Sequence, residues 1–262
     1  MGILYNVPDL KTWGIMLFIL VVLIALNELG RETKWGGILL FVIVPVVLTI
    51  FVWPTTCAPG NEYGTGNWFN WAKTYSALAG EKINNLWVMS GPWNIMNGIA
   101  GILNILLICG WTGIYISKEK SKDMMWPDMD WIYILGYDLW NFAYTYNCIS
   151  DHSVYCGVIL LLSCTIPAFF IKKGCWLQHR AHTLALWIMF IMTVPQFADR
   201  LAPVPTTHNP KAFFAVSFLS LVVNAAAVIY QFSVIRKNKL NPFKDEIYTD
   251  KAFYKKINAE NK

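Results

Sequence analysis

The stretch Trp13–Leu29 reads WGIMLFILVVLIALNEL and carries no charge before Glu28. A helix needs roughly 20 apolar residues to cross a hydrocarbon core of about 30 Å, and this run approaches that length. Its polar end, Asn27-Glu28-Leu29-Gly30-Arg31, has no small-x-small cleavage pattern, so it reads as a retained helix and not as a signal peptide. Working outward, six more stretches have the same character: 36–53, 95–116, 131–149, 154–171, 176–197 and 212–235. Lipid offers no partner for free backbone N–H and C=O groups, so each is expected to be helical. The expected fold is all-α, an integral membrane bundle of seven transmembrane helices over residues 1–237. A charged tail, 238–262, follows it.

Composition agrees. Hydrophobic residues make up 56% of the 262 and charged residues 14%, and the mean hydropathy is +0.42. Soluble domains run about 45–50% apolar and about 25% charged. This balance excludes a disordered chain, a collagen-like chain and an ordinary soluble enzyme. The 13 Trp residues suit lipid–water boundaries. Lys and Arg accumulate in cytoplasmic loops, and that rule sets the orientation. With the N-terminus outside, the inside segments hold Arg31, Lys34, Lys118, Lys120, Lys122, Lys172, Lys173 and Arg180, and the tail adds a basic run from Arg236 to Lys262. Only Lys11, Lys73, Lys82, Arg200 and Lys211 fall outside. The C-terminus is then cytoplasmic and the protein sits in the plasma membrane. The net charge of +5 is explained as anchoring, so no nucleic-acid partner is implied. The partners expected are the lipid bilayer and a small polar solute or ion; a homo-oligomer is compatible with the sequence.

The longest outer loop, 54–94, opens in the turn-rich Pro54-Thr55-Thr56-Cys57-Ala58-Pro59-Gly60. Within it Trp68, Trp71, Ala72, Tyr75 and Ala79 recur at helical spacing, which predicts a short interfacial helix over 67–79. Topology allows a disulfide between Cys57 and Cys148.

Ionisable residues inside a bilayer are costly and mark function. In the fourth span Tyr137, Asp138, Asn141 and Tyr144 fall three and four apart and form one polar stripe with Thr145 and Cys148. Asp138 lies near mid-depth. The stripe reads as a relay or a polar substrate contact, or as an interhelical hydrogen-bond knot. Glu28 and His182 would line its inner mouth, while Arg180 would anchor at the headgroups. His179 and His182 stand one turn apart and could share a face, which makes zinc the second reading. A metal needs at least one more ligand, from Glu28 or Asp138. At the outer face Asp151, His152, Asp199 and Arg200, with His208, either rim a vestibule or stand solvated in loops.

No phosphate loop, Gly-x-Ser-x-Gly elbow or His-Glu-x-x-His is present, and no catalytic residue is assigned. The seventh span has no central Lys, which a retinal Schiff base requires; no cofactor is expected. The leading expectation is a transporter or channel-like protein with Asp138 at its centre. The alternatives are an intramembrane metal-dependent enzyme acting on a lipid or hydrophobic substrate, and a seven-helix sensor whose tail meets a partner.

The run from Tyr137 to Tyr144, followed by Asn147-Cys148, Asp151-His152, Pro167-Ala168-Phe169 and Gln178-His179-Arg180-Ala181-His182, resembles an uncharacterised family of bacterial multipass membrane proteins, a domain of unknown function. The likeness covers mostly residues 131–197. It implies a bacterial plasma-membrane protein and transfers no activity.

Overall fold

Asp9 starts the first helix. Its carboxylate accepts the N–H of Thr12 at 2.8 Å, and hydrogen bonds to Thr12 hold its carboxyl below the ordinary range. Helix α1 then runs Leu10–Glu32. This is a computed structural model, and it describes residues 2–33, 39–47, 81–83, 86–88, 92–129, 131–194 and 196–262. A helical piece, α2, follows at Leu39–Ile43 and Val44–Val47. A short antiparallel pair joins β1, Glu81–Ile83, to β2, Leu86–Val88. Helix α3 is Pro92–Leu106. A second small hairpin pairs β3, Tyr115–Ile116, with β4, Met124–Met125. Helix α4 is Trp131–Cys148 and α5 is Val154–Phe170. Helix α6 runs Trp176–Thr183, widens into a π-helical turn at Leu184–Ile188, and ends as Met189–Thr193. Helix α7 is Pro210–Asn238, capped by the Asn209 side chain on the N–H of Lys211 at 2.9 Å. A last helix, α8, spans Ala252–Asn261.

The all-α expectation holds for the described residues. Two helices, α1 and α7, are long and apolar enough to cross a membrane. Their 23 and 29 residues reach about 34 and 43 Å. The stretch expected at 95–116 is corrected: α3 stops at Leu106 and measures about 22 Å. The apolar run continues through Ile108, Trp111 and Ile116, but Gly110 turns left-handed at φ 68°. That glycine admits the Asp128 carboxylate so closely that a Cβ would strike it. Of 36–53 only 39–47 is described; the predicted interfacial helix 67–79 and Cys57 lie outside the described residues. Cys148 carries a free thiol, as do Cys156, Cys164 and Cys175.

The interior holds an apolar core, with Met16, Leu23, Tyr155, Leu160 and Phe213 in its largest cluster, and polar groups are buried between the helices as well. Helix α7 lies against α3 and α4 through a ladder of buried amides and hydroxyls. Asn104 Nδ2 donates to Asn224 Oδ1 at 3.1 Å, Asn224 Nδ2 donates to the carbonyl of Gly136 at 3.0 Å, and Asn147 Nδ2 donates to Ser217 Oγ at 2.7 Å. The surface carries Phe214, Phe218 and Phe232 of α7, Ile95 and Ile102 of α3, and Leu17 and Phe18 of α1.

The two ends of the bundle are built separately. At the amino end Tyr5 bridges Thr206 and shares a hydrogen bond with Ser153 at 2.7 Å, while Tyr146 donates to the carbonyl of Leu4 at 2.7 Å. At the carboxyl end the segment expected as a charged tail folds back. Ile247, Tyr248, Tyr254 and Ile257 are buried. The fully buried Asp128 accepts the N–H groups of Ile247 and Tyr248 at 2.8 and 2.7 Å. Burial raises the Asp128 carboxyl, and the two amides pull it back only in part. Lys118 N–H donates to the carbonyl of Asn261, and Trp126 N–H to that of Gly174.

Candidate functional site

Helix α6 opens at the carboxyl end of the bundle, and polar groups face its first two turns from both sides. On one side lies the end of α1. Arg31, with its side chain only 9% exposed, binds Glu28 Oε2 at 2.7 Å and Asp123 Oδ2 at 3.1 Å. Asp123 is fully buried at the mouth of the β3–β4 hairpin and also accepts Ser121 Oγ at 2.6 Å and Gln178 Nε2 at 3.0 Å. Gln178 in turn accepts the N–H of Met124 at 2.6 Å. The hairpin is thereby tied to both α1 and α6. One turn on, Asn27 Nδ2 donates to the carbonyl of Ser163 and to Thr183 Oγ1, each at 3.0 Å.

His179 sits between these groups, fully buried, with Nε2 at 3.9 Å from Glu28 Oε1. That distance is too long for a hydrogen bond. Among the described residues both ring nitrogens of His179, Glu28 Oε1 and His182 Nδ1 have no hydrogen-bond partner. The His182 ring stacks on Phe41 at 3.8 Å, nearly parallel. Phe41 reaches it because Gly30 has no side chain; a methyl there would run into the Phe41 ring.

On the other side α6 meets α4 and α5. Asp138 Oδ2 accepts Thr165 Oγ1 at 2.7 Å, and Thr165 Oγ1 accepts Trp176 Nε1 at 3.0 Å. Asp138 Oδ1 has no hydrogen-bond partner among the described residues. Arg180, expected at the headgroups, is buried instead, and its guanidinium lies over the Tyr137 ring at 5.6 Å. Among the described residues its Nε and Nη1 have no hydrogen-bond partner, and its charge acts on Asp138. Tyr137 packs edge-on against Trp176 at 5.0 Å, and Tyr144 stacks on Trp140 at 6.2 Å. Asn141 is half-buried on the same helix.

The structure thus puts the two carboxylates that the sequence offered as alternative third ligands on different sides of α6. Glu28 lies against His179, whereas Asp138 is bonded to Thr165 beside Arg180. Among the described residues no group of three His, Cys, Asp or Glu side chains is placed to hold a metal ion. Thr165, Asp123 and the buried state of Arg180 were not legible beforehand. The only available signal was that Arg180 and Asp138 are charges within apolar runs.

At the amino end His208 Nε2 lies 2.9 Å from Asp151 Oδ1, which also accepts the N–H of Thr206 at 3.2 Å; His152 pairs with Asp199. These pairs tie the turn after α4 to the segment before α7. Arg200 lines a cleft there with Asn6, Lys11 and Pro205.

No curated protein and no solved structure matches the chain. A family of unknown function, DUF5692, matches residues 7–83 and 81–260, nearly the whole length, and the chain belongs to that family.

Proposed function

We propose that this chain is a multipass membrane protein with seven spans and that its polar interior moves a small ion, the proton foremost. The large apolar side chains exposed along α1, α3 and α7 support the membrane reading, as do the amide and hydroxyl bonds buried between α3, α4 and α7. So does the run of α1, α3, α4, α5, α6 and α7 between two separately built ends. Helix α1 finishes at the carboxyl end and α3 begins at the amino end, and the expected span 36–53 supplies the return.

One observation carries the ion reading. On both faces of the first turns of α6, titratable groups bury atoms that have no hydrogen-bond partner among the described residues: Asp138 Oδ1, Glu28 Oε1, His182 Nδ1 and both nitrogens of His179. Groups that leave donors and acceptors unmet in a buried site accept or pass a proton at little geometric cost, whereas a purely structural knot satisfies them. Asp138 is the central acid, bonded to Thr165, with Tyr137, Asn141 and Tyr144 on its own helix. Glu28 and His182 stand nearer the carboxyl end.

The test is proton flux into liposomes with an internal pH dye under an imposed potential. Wild type is expected to acidify the lumen and Asp138→Asn to fall to the rate of empty liposomes. Glu119→Gln, in an exposed pair with Lys172, should keep the wild-type rate. Equal flux in wild type and Asp138→Asn would sink the reading.

A metal-dependent enzyme is the second reading, favoured by the approach of Glu28 Oε1 to His179 Nε2, both without a hydrogen-bond partner among the described residues. Elemental analysis of protein purified without chelators tests it. About one metal per chain, lost in His179→Ala, would put the enzyme first.

A further inference from the structure

Phe243 is 84% exposed on a turn that is not loose. Its own N–H donates to Asn241 Oδ1 at 3.0 Å, Asn241 N–H donates to Asp245 Oδ2 at 2.7 Å, and Thr112 Oγ1 donates to the carbonyl of Lys244 at 3.4 Å. On one side Lys239 closes α7 at φ 53°; on the other Asp128 clamps the amides of Ile247 and Tyr248. The backbone therefore holds the ring outward, and it cannot collapse onto the protein. Four exposed cations surround it in the sequence: Arg236, Lys237, Lys239 and Lys244. Asp245, the one acid of that stretch, is engaged in the turn. The end of α5 repeats the pairing, with Phe170 83% exposed and Lys173 exposed three residues later.

We propose that the Phe243 turn is a clamp for anionic phospholipid headgroups, with Phe243 set among the upper acyl carbons and Arg236, Lys237, Lys239 and Lys244 around the phosphates. This rests on the membrane reading. A rigidly presented phenyl ring gains by leaving water. Cations just beyond the end of a span meet the anionic leaflet at the depth where headgroups lie. Charge complementarity selects the occupant: the patch is basic, and the ring at its centre matches a surface that is anionic above and apolar below.

The test uses full-length protein in nanodiscs of phosphatidylcholine with and without phosphatidylglycerol. A spin label is placed by Phe243→Cys, with Phe218→Cys on α7 and Ala259→Cys on α8 as references, and the wild-type signal is subtracted. The label at 243 is expected to be relaxed by oxygen more than by a water-soluble nickel chelate, as at 218 and unlike 259. Replacing all four cations by Gln is expected to raise the phosphatidylglycerol needed for half-maximal thermal stabilisation by about tenfold or more. A label at 243 that behaves like 259 while 218 stays lipid-like, or an unchanged lipid titration, would overturn the clamp alone. A nickel-accessible label at 218 would overturn the membrane placement and the clamp with it.

Discussion

A buried carboxylate that accepts two backbone amides holds a chain segment in place, and Asp128 does this for the C-terminal residues. Asp128→Ala leaves the amides of Ile247 and Tyr248 buried without an acceptor, at about 1–3 kcal/mol each. Amide exchange at 247 and 248 should then rise to the rate of an open segment, while α7 keeps its protection. Unchanged exchange would show that Asp128 is not the latch. Tyr254 adds a pH dependence at the same place. Burial, and then its hydrogen bond to Glu246, push the Tyr254 hydroxyl up to about 12. An undocked Tyr ionises near 10, so above that pH the docked form holds the extra proton. Docking is fully present below pH 10 and is lost as pH rises toward 12. Tyr254→Phe should flatten that alkaline loss when exchange at 257–261 is followed against pH. Gly30 works by absence: Gly30→Ala is expected to cost about 1–3 kcal/mol by pushing Phe41 off His182, read as a lower melting temperature in detergent.

At the scale of elements, existence was legible and limits were not. Long apolar runs are enough to place α1, α4, α5, α6 and α7, because the backbone has nowhere else to satisfy its polar groups once such a run is buried. The end of α3 was hidden because Leu107, Ile108 and Trp111 continue the run; the turn depends on Gly110 meeting Asp128, a contact between residues 18 apart. The tail was hidden for a similar reason. Ile247, Tyr248, Tyr254 and Ile257 are too sparse to read as a core until the hairpin and α7 give them a floor. In the site, Glu28, Asp138, His179 and His182 stood out as ionisable groups in apolar runs. Their division between two faces of α6 is a matter of tertiary neighbours that no spacing encodes. The Asn104–Asn224 contact joins α3 to α7 across 120 residues. Asn224→Leu leaves the Asn104 amide and the Gly136 carbonyl with less than they had, and should cost about 1–2 kcal/mol. Adding Asn104→Leu should restore part of that loss, because two apolar side chains strand fewer polar groups than one asparagine left alone. A double mutant as unstable as the sum of the singles would show that the two act separately.

Over the whole molecule, contacts between connecting segments sort into two sets that do not mix among the described residues. Residues 3–7, 149–153 and 197–208 hold one another through Tyr5, Ser153, Asp151, His208 and the His152–Asp199 pair. Residues 31–33, 107–128, 172–175 and 239–262 hold one another through Arg31–Asp123, Lys172–Glu119 and Asp128. The same division follows from basic residues alone, since the second set carries most of the Lys and Arg. Two independent constraints, charge and contact, therefore sort the connections identically, as expected if every helix between them crosses once. The expected outcome is that the termini lie on opposite sides of the membrane, the first outside. A membrane-impermeant maleimide on intact cells, with the native thiols measured as background, should modify Ile3→Cys at once and Ala259→Cys only after lysis. Both positions are exposed, so access to the label and not burial decides the result. The reverse order would keep an odd number of crossings and invert the orientation. Labelling of both from one side would require an even number, and the seven-span reading would fall.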